Sequence, residues 1–223
     1  MCIPSLSRAL ALALALSARM ISATPLDEVL RRLHAKDASL QHIELLGNRF
    51  GNEGATALAG ALERGSFPKF QRISLGCNNI GDEGATALAG ALERGSFLAL
   101  QAISLGCNSI GDKGAKALAG ALERGSFLEL RVILLNWNII GDEGAAALAG
   151  ALERGSFPKL QTIYLDCNRI GDEGAKAFFQ ALERGSLPVL QVIDLIRNNI
   201  SPEMHHQVSR AIAAMHARAS VRQ

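Results

Sequence analysis

The chain has 223 residues, 48% of them hydrophobic and only 4% aromatic, so its core must be built mainly from Leu, Ile and Ala. A net charge of +2 gives no electrostatic reason to expect a nucleic acid or an acidic membrane surface as partner. The four cysteines (Cys2, Cys77, Cys107 and Cys167) form no CxxC pair, which argues against a zinc ribbon or a thioredoxin-like motif and suits a reducing compartment.

Residues 1–25 stand apart from the rest. Arg8 precedes the apolar run ALALALALSA, which is too short to span a bilayer. The segment reads either as an N-terminal extension or as a targeting segment, secretory or organellar; Arg19 and the lack of acids before Asp27 suit the organellar form. We expect a cytoplasmic protein, with secretion or an organelle as the alternative if 1–25 is a targeting segment. Residues 26–39 then place Leu26, Val29, Leu30 and Leu33 on one helical face, as a capping helix would.

Residues 40–200 are six units of 30 residues, counted from Leu40, Phe70, Leu100, Leu130, Leu160 and Leu190. Each begins L-x-x-I-x-L-x-x-N-x-I. Ile73 and Leu75 are two apart and face one side of a short strand. The period then changes: Ala85, Leu88, Ala89 and Leu92 make the inner stripe of an amphipathic helix. Asp82 and Glu83 suit the positive end of its dipole. Gly95 predicts a left-handed cap, and Phe97 a plug for the core. Each unit is thus strand, turn, helix and loop, unable to bury its apolar face alone. Strands stack at about 4.8 Å and helices at about 8–10 Å, so the stack should bend with the sheet inside. In residues 201–223, Ser201, Pro202 and Glu203 start a second capping helix with a basic outer face at Arg210, His216 and Arg218.

This pattern resembles the ribonuclease-inhibitor-like subfamily of leucine-rich repeats, on its LxxIxLxxNxI strand block and GDEGAxxLAxAL helix block. The resemblance implies an α/β leucine-rich-repeat solenoid, a right-handed β-α superhelix forming a horseshoe segment, with a parallel concave sheet and convex helices. It also implies recognition of another macromolecule. The subfamily includes ribonuclease inhibitor, the repeat regions of NOD-like receptors and the activator of the small GTPase Ran. Two alternatives to a plain scaffold follow: a GTPase-activating regulator like the Ran activator, or the repeat fragment of a NOD-like receptor.

Several features invite chemistry, and each has a plainer account. The asparagine ladder (Asn48, Asn78, Asn108, Asn138, Asn168, Asn198) pairs backbone groups where the strand turns. Cys77, Cys107 and Cys167 sit one place before it as small packing residues. His205 and His206 are adjacent and cannot chelate in the i, i+4 manner. No phosphate-binding GxxxxGK[ST] occurs, and no nucleophile is paired with a base. The recurring Glu-Arg pair (63–64, 93–94, 123–124, 153–154, 183–184) is a solvated helix end with weak ion pairs between units. We therefore expect no catalytic residues, no cofactor and no metal.

The informative positions are those that do not repeat. Alternation puts offsets +2, +4 and +6 of each unit on the concave face, with offset +7 at its edge. There stand Leu134, Asn136 and Trp137 in unit four, Tyr164 and Asp166 in unit five, and Asp194 and Arg197 in unit six. Glu44 and Arg72 lie on the same face in units one and two. The single Trp and single Tyr of the chain fall in neighbouring units, and aromatic anchors are what binding hot spots use. Two readings stand: a protein partner binds this patch, or Trp137 and Tyr164 are incidental surface aromatics. The expected protein is a monomeric, non-catalytic scaffold that binds a protein, with no nucleic acid and no membrane span.

Overall fold

The computed structural model describes residues 26–220, apart from Ala38, Ser66, Ser156, Ser186 and Pro188, and only the backbone from 215 onward. The expectations for 1–25, and for the side chains of His216 and Arg218, lie outside the described residues. Helix α1 (Leu26–His34) leads into six strand–helix units: β1 (His42–Glu44), α2 (Gly51–Glu63), β2 (Arg72–Ser74), α3 (Asp82–Arg94), β3 (Ala102–Ser104), α4 (Asp112–Arg124), β4 (Val132–Leu134), α5 (Asp142–Arg154), β5 (Thr162–Tyr164), α6 (Asp172–Glu183), β6 (Val192–Asp194) and α7 (Pro202–Ser220). The strands form one parallel sheet in sequence order. Its register repeats by 30 residues, so Ile43, Ile73, Ile103, Ile133, Ile163 and Ile193 lie in one row.

The core runs between sheet and helices as one continuous column. Ile73 and Leu75 from the strand meet Ala85, Leu88, Ala89 and Leu92 from the helix, all buried, and the other units repeat the set. Phe97 is buried as a plug, and its ring meets Phe70 edge-on at 6.3 Å. Val29 and Leu33 of α1 close one end, and Val208 and Ala211 of α7 the other. The Ser201 hydroxyl accepts from the Met204 N–H at 3.3 Å, the cap its position predicts.

Two polar ladders lock the units in register. Each asparagine from Asn78 onward ties its own unit to the one before. Asn138 Nδ2 donates to the Leu105 and Leu135 carbonyls at 3.0 and 3.1 Å, and its Oδ1 accepts from the Ile110 N–H at 3.0 Å. The second ladder runs through the helix starts. Asp82 Oδ1 accepts from the N–H groups of Gly111 and Gly114, both at 2.8 Å, in the next unit. Asp112 and Asp142 repeat this toward their successors, Asn52 takes the place in unit one, and Asp172 accepts from Ser201 N–H at 2.7 Å. The aspartates thus cap the neighbouring helix, where orphan N–H groups need acceptors.

Gly95 differs from expectation. Its backbone is extended (φ −80°, ψ 163°), not left-handed. Glycine is needed there for room, because a Cβ would lie 2.2 Å from the Phe97 ring and 2.9 Å from the Ala91 carbonyl oxygen. Packing of the plug, and not backbone handedness, sets the residue. Left-handed backbone occurs at the equivalent Gly185 past α6, and at the strand turn at Gly47, Cys77, Cys107, Trp137, Cys167 and Arg197.

Candidate functional site

Alternation follows from the core: Leu75, Leu105, Leu135 and Leu165 are buried beneath the sheet, so their flanking residues emerge on the other side. In units two and three the residues flanking these leucines are small: Ser74, Gly76, Ser104 and Gly106. A Cβ on Gly106 would lie 2.7 Å from Asn136 Oδ1, so the unit-four amide leans over this glycine. From unit four onward the side chains are larger, and they cover one another.

Leu134 and Tyr164, partners in register, pack together as a small apolar cluster separate from the main core, with Val132 against it. Both are buried. One row further, Asn136 is buried and Asp166 is 2% exposed. Trp137 is half-buried, and its backbone N–H donates to the Asp166 carbonyl at 2.9 Å. Two polar atoms here are buried without a hydrogen-bond partner: Asp166 Oδ1 and Trp137 Nε1. Asp194 is half-buried, with its Oδ1 accepting from Ile196 N–H at 3.0 Å. Arg197 and Ile196 are exposed. The seven expected positions, Leu134, Asn136, Trp137, Tyr164, Asp166, Asp194 and Arg197, fall together on units four to six. Arg72 and Glu44 lie two and three strands away from them, on β2 and β1, and pair with each other at 3.5 Å.

The charges in this region are poorly balanced. Burial pushes the Asp166 carboxyl up to about 6, and repulsion from Asp194 acts in the same direction. The Cys167 thiol and Arg197 oppose this without cancelling it. Burial also raises the Cys167 thiol, against a hydrogen bond from Arg197 that lowers it. On the small-residue side, burial pushes Cys107 up to about 12, and the adjacent Cys77 adds to it. Cys77, Cys107 and Cys167 are all free thiols. Among the described residues no group of His, Cys, Asp and Glu is arranged to hold a metal. No described helix is long and apolar enough to cross a membrane.

Comparison with known proteins bears on the fold. A family model described as "Leucine Rich repeat" matches residues 36–59, 68–89, 100–119, 130–149 and 158–179. The matches fall in register on successive strand–helix units of the observed parallel sheet. The chain is a leucine-rich-repeat solenoid. Among solved structures it is similar to the actin-binding site 2 of leiomodin-1, with a TM-score of 0.56 and 16% identity over 90% of this chain and 95% of that one. It is also similar to the tropomodulin C-terminal domain of Caenorhabditis elegans, with a TM-score of 0.52 and 19% identity over 89% of this chain and 98% of that one. At these identities the likeness is one of fold. No curated protein matches the chain in sequence.

Two residues flanking the strands escaped the sequence reading. Arg131 half-emerges where the other units carry Gln41, Gln71, Gln101, Gln161 and Gln191, and its Nε is buried without a partner. The break in this glutamine row was visible in the sequence. Cys167 was read as packing alone, yet both Asp166 and Arg197 act on its thiol. Unit four of the solenoid therefore departs from its neighbours at Arg131, Leu134, Asn136 and Trp137 together, in β4 and the residues on either side of it.

Proposed function

We propose that the protein is a non-catalytic interaction scaffold that binds a protein partner on the concave face of units four to six. The observation that carries this reading is the contrast between the two sides of the solenoid. The convex helices are near copies, while the strands of units four to six carry the only Trp, the only Tyr and two unpaired buried polar atoms on one surface. Buried polar groups without partners cost stability, so selection for folding alone would remove them. A partner that supplies the missing bonds accounts for their presence. The leiomodin-1 domain of similar fold is an actin-binding site, so a protein partner has precedent on this architecture.

Affinity capture followed by mass spectrometry tests the reading. Wild type is compared with a Trp137→Ala, Tyr164→Ala double variant whose folding is checked by circular dichroism. The reading expects a partner held by wild type and lost by the variant. A folded variant that retains every partner of wild type contradicts it.

A further inference from the structure

The unpaired groups on units four to six differ in kind, and the difference specifies a ligand. Asp166 is an acceptor with Oδ1 buried and unbonded. Its side chain leaves the sheet on the concave side, because Leu165 before it is in the core. Asp194, on the next strand, is a second carboxylate close enough to raise it. Arg197 is the cation that acts on Asp166, and it does so less than any other named neighbour. Trp137 is a donor, with Nε1 buried and unbonded, rooted beside Asp166 through its backbone bond to the Asp166 carbonyl. Leu134, Tyr164 and Val132 supply an apolar floor next to these groups.

We propose that this surface takes a basic side chain, the guanidinium or ammonium of an arginine or lysine in a protein partner, between Asp166 and Asp194. The proposal rests on the concave-face reading above and names the chemistry it requires. The aliphatic stem of such a side chain lies on Leu134 and Tyr164, as long cationic side chains do on apolar surface. Its charged head bonds Asp166 Oδ1, and a charge-assisted bond of this kind is stronger than a neutral one. The partner's main-chain carbonyl accepts from Trp137 Nε1. A neutral or acidic side chain answers only the indole and leaves the carboxylate buried and uncompensated, which binding penalises. The site thus discriminates by charge as well as by shape.

Trp137 is the only tryptophan of the chain, so its emission reports this site and no other. The probes are blocked tripeptides, acetyl-Gly-X-Gly-amide, with X as arginine, lysine, citrulline, norleucine or glutamate. The arginine and lysine peptides give a saturable change in Trp137 emission with Kd on the order of 1 mM. Citrulline, norleucine and glutamate peptides bind about tenfold more weakly or not at all, a difference of roughly 1.4 kcal/mol. Asp166→Asn and Asp194→Asn each weaken the arginine peptide by a similar factor, while Glu93→Gln on the convex side leaves it unchanged. Equal binding of arginine and citrulline peptides overturns the proposal, as does wild-type affinity in the folded Asp166→Asn protein, or no saturable response to either basic peptide. The two readings fail separately. Loss of partners in the Trp137, Tyr164 variant without basic-peptide binding removes this inference alone. Basic-peptide binding with all partners retained removes the partner reading.

Discussion

Asp112 Oδ1 accepts from the Gly144 N–H at 2.8 Å, and a Cβ on Gly144 would lie 2.7 Å from that same oxygen. The aspartate of one unit and the glycine of the next are therefore a single device. The carboxylate caps the neighbouring helix, and the glycine lets it approach.

This fixes the sign of two substitutions. Gly→Ala within a helix ordinarily stabilises by up to about 1 kcal/mol. Gly144→Ala should instead destabilise, because the new methyl group displaces Asp112 and meets Ala115 Cβ, which lies 2.9 Å from its position. Asp112→Ala should cost about 1–2 kcal/mol through loss of a cap. The double variant should cost less than the sum, since both remove the same bond. Urea denaturation of the four proteins checks this.

Asn108→Leu should be among the most destabilising single changes. Asn108 Oδ1 accepts from the N–H groups of Asn78 and Ile80 at 3.0 and 2.9 Å, and Nδ2 donates to the Leu75 and Leu105 carbonyls at 3.0 and 2.9 Å. Leucine leaves these backbone groups without partners, at about 1–3 kcal/mol for each buried group. A total loss of about 3 kcal/mol or more is expected from denaturant melts, and unchanged thermal stability would defeat the account of the ladder.

The helix-end ion pairs should matter little by contrast. Arg124 pairs with Glu93 at 2.6 Å and Arg154 with Glu123 at 2.7 Å, while Arg94–Glu63 and Arg184–Glu153 continue the row. The arginines are more than half exposed. Arg124→Ala should therefore change stability by less than about 1 kcal/mol, measured by thermal melts at low and high salt.

Asp166 should set a pH dependence of unusual sign. Its carboxyl is raised from 3.8 to about 6 in the folded chain, so the native state holds this proton longer than the unfolded state does. Its contribution to stability is highest below the unfolded value, falls as pH rises through that window, and reaches its full penalty above about 6. The groups acting on it are Asp194, Cys167 and Arg197. Asp166→Asn should melt higher than wild type near pH 8, by a margin on the order of 2 kcal/mol, with the two converging near pH 4. The difference between the two proteins isolates this group from Asp37, whose carboxyl is held down to about 2 by Ser39 and Arg32 and which acts in the opposite sense.

Most of the fold was legible because its signals are local. Ile73 and Leu75 announce a strand by their spacing, and Ala85, Leu88, Ala89 and Leu92 a helix by theirs; a period of 30 does the rest. What escaped depends on neighbours in space. Asp82 reads as serving its own helix, because the Gly111 and Gly114 groups it bonds lie 29 and 32 residues on. Gly95 reads as a left-handed cap until the Phe97 ring is seen against it. The concave face was legible as a set of non-repeating positions. Its burial was not, because the cover over Leu134 comes from the adjoining strand. The alternation that placed Leu134 outward could not show that Tyr164 would bury it.

Hydrogen–deuterium exchange on the protein with a captured partner bound tests the central claim most directly. The account predicts that protection gained on binding falls on peptides covering 131–138, 161–168 and 191–198, with the convex helices unchanged. Protection confined to α3, α4 and α5, with those three strand segments exchanging as in the free protein, would contradict it.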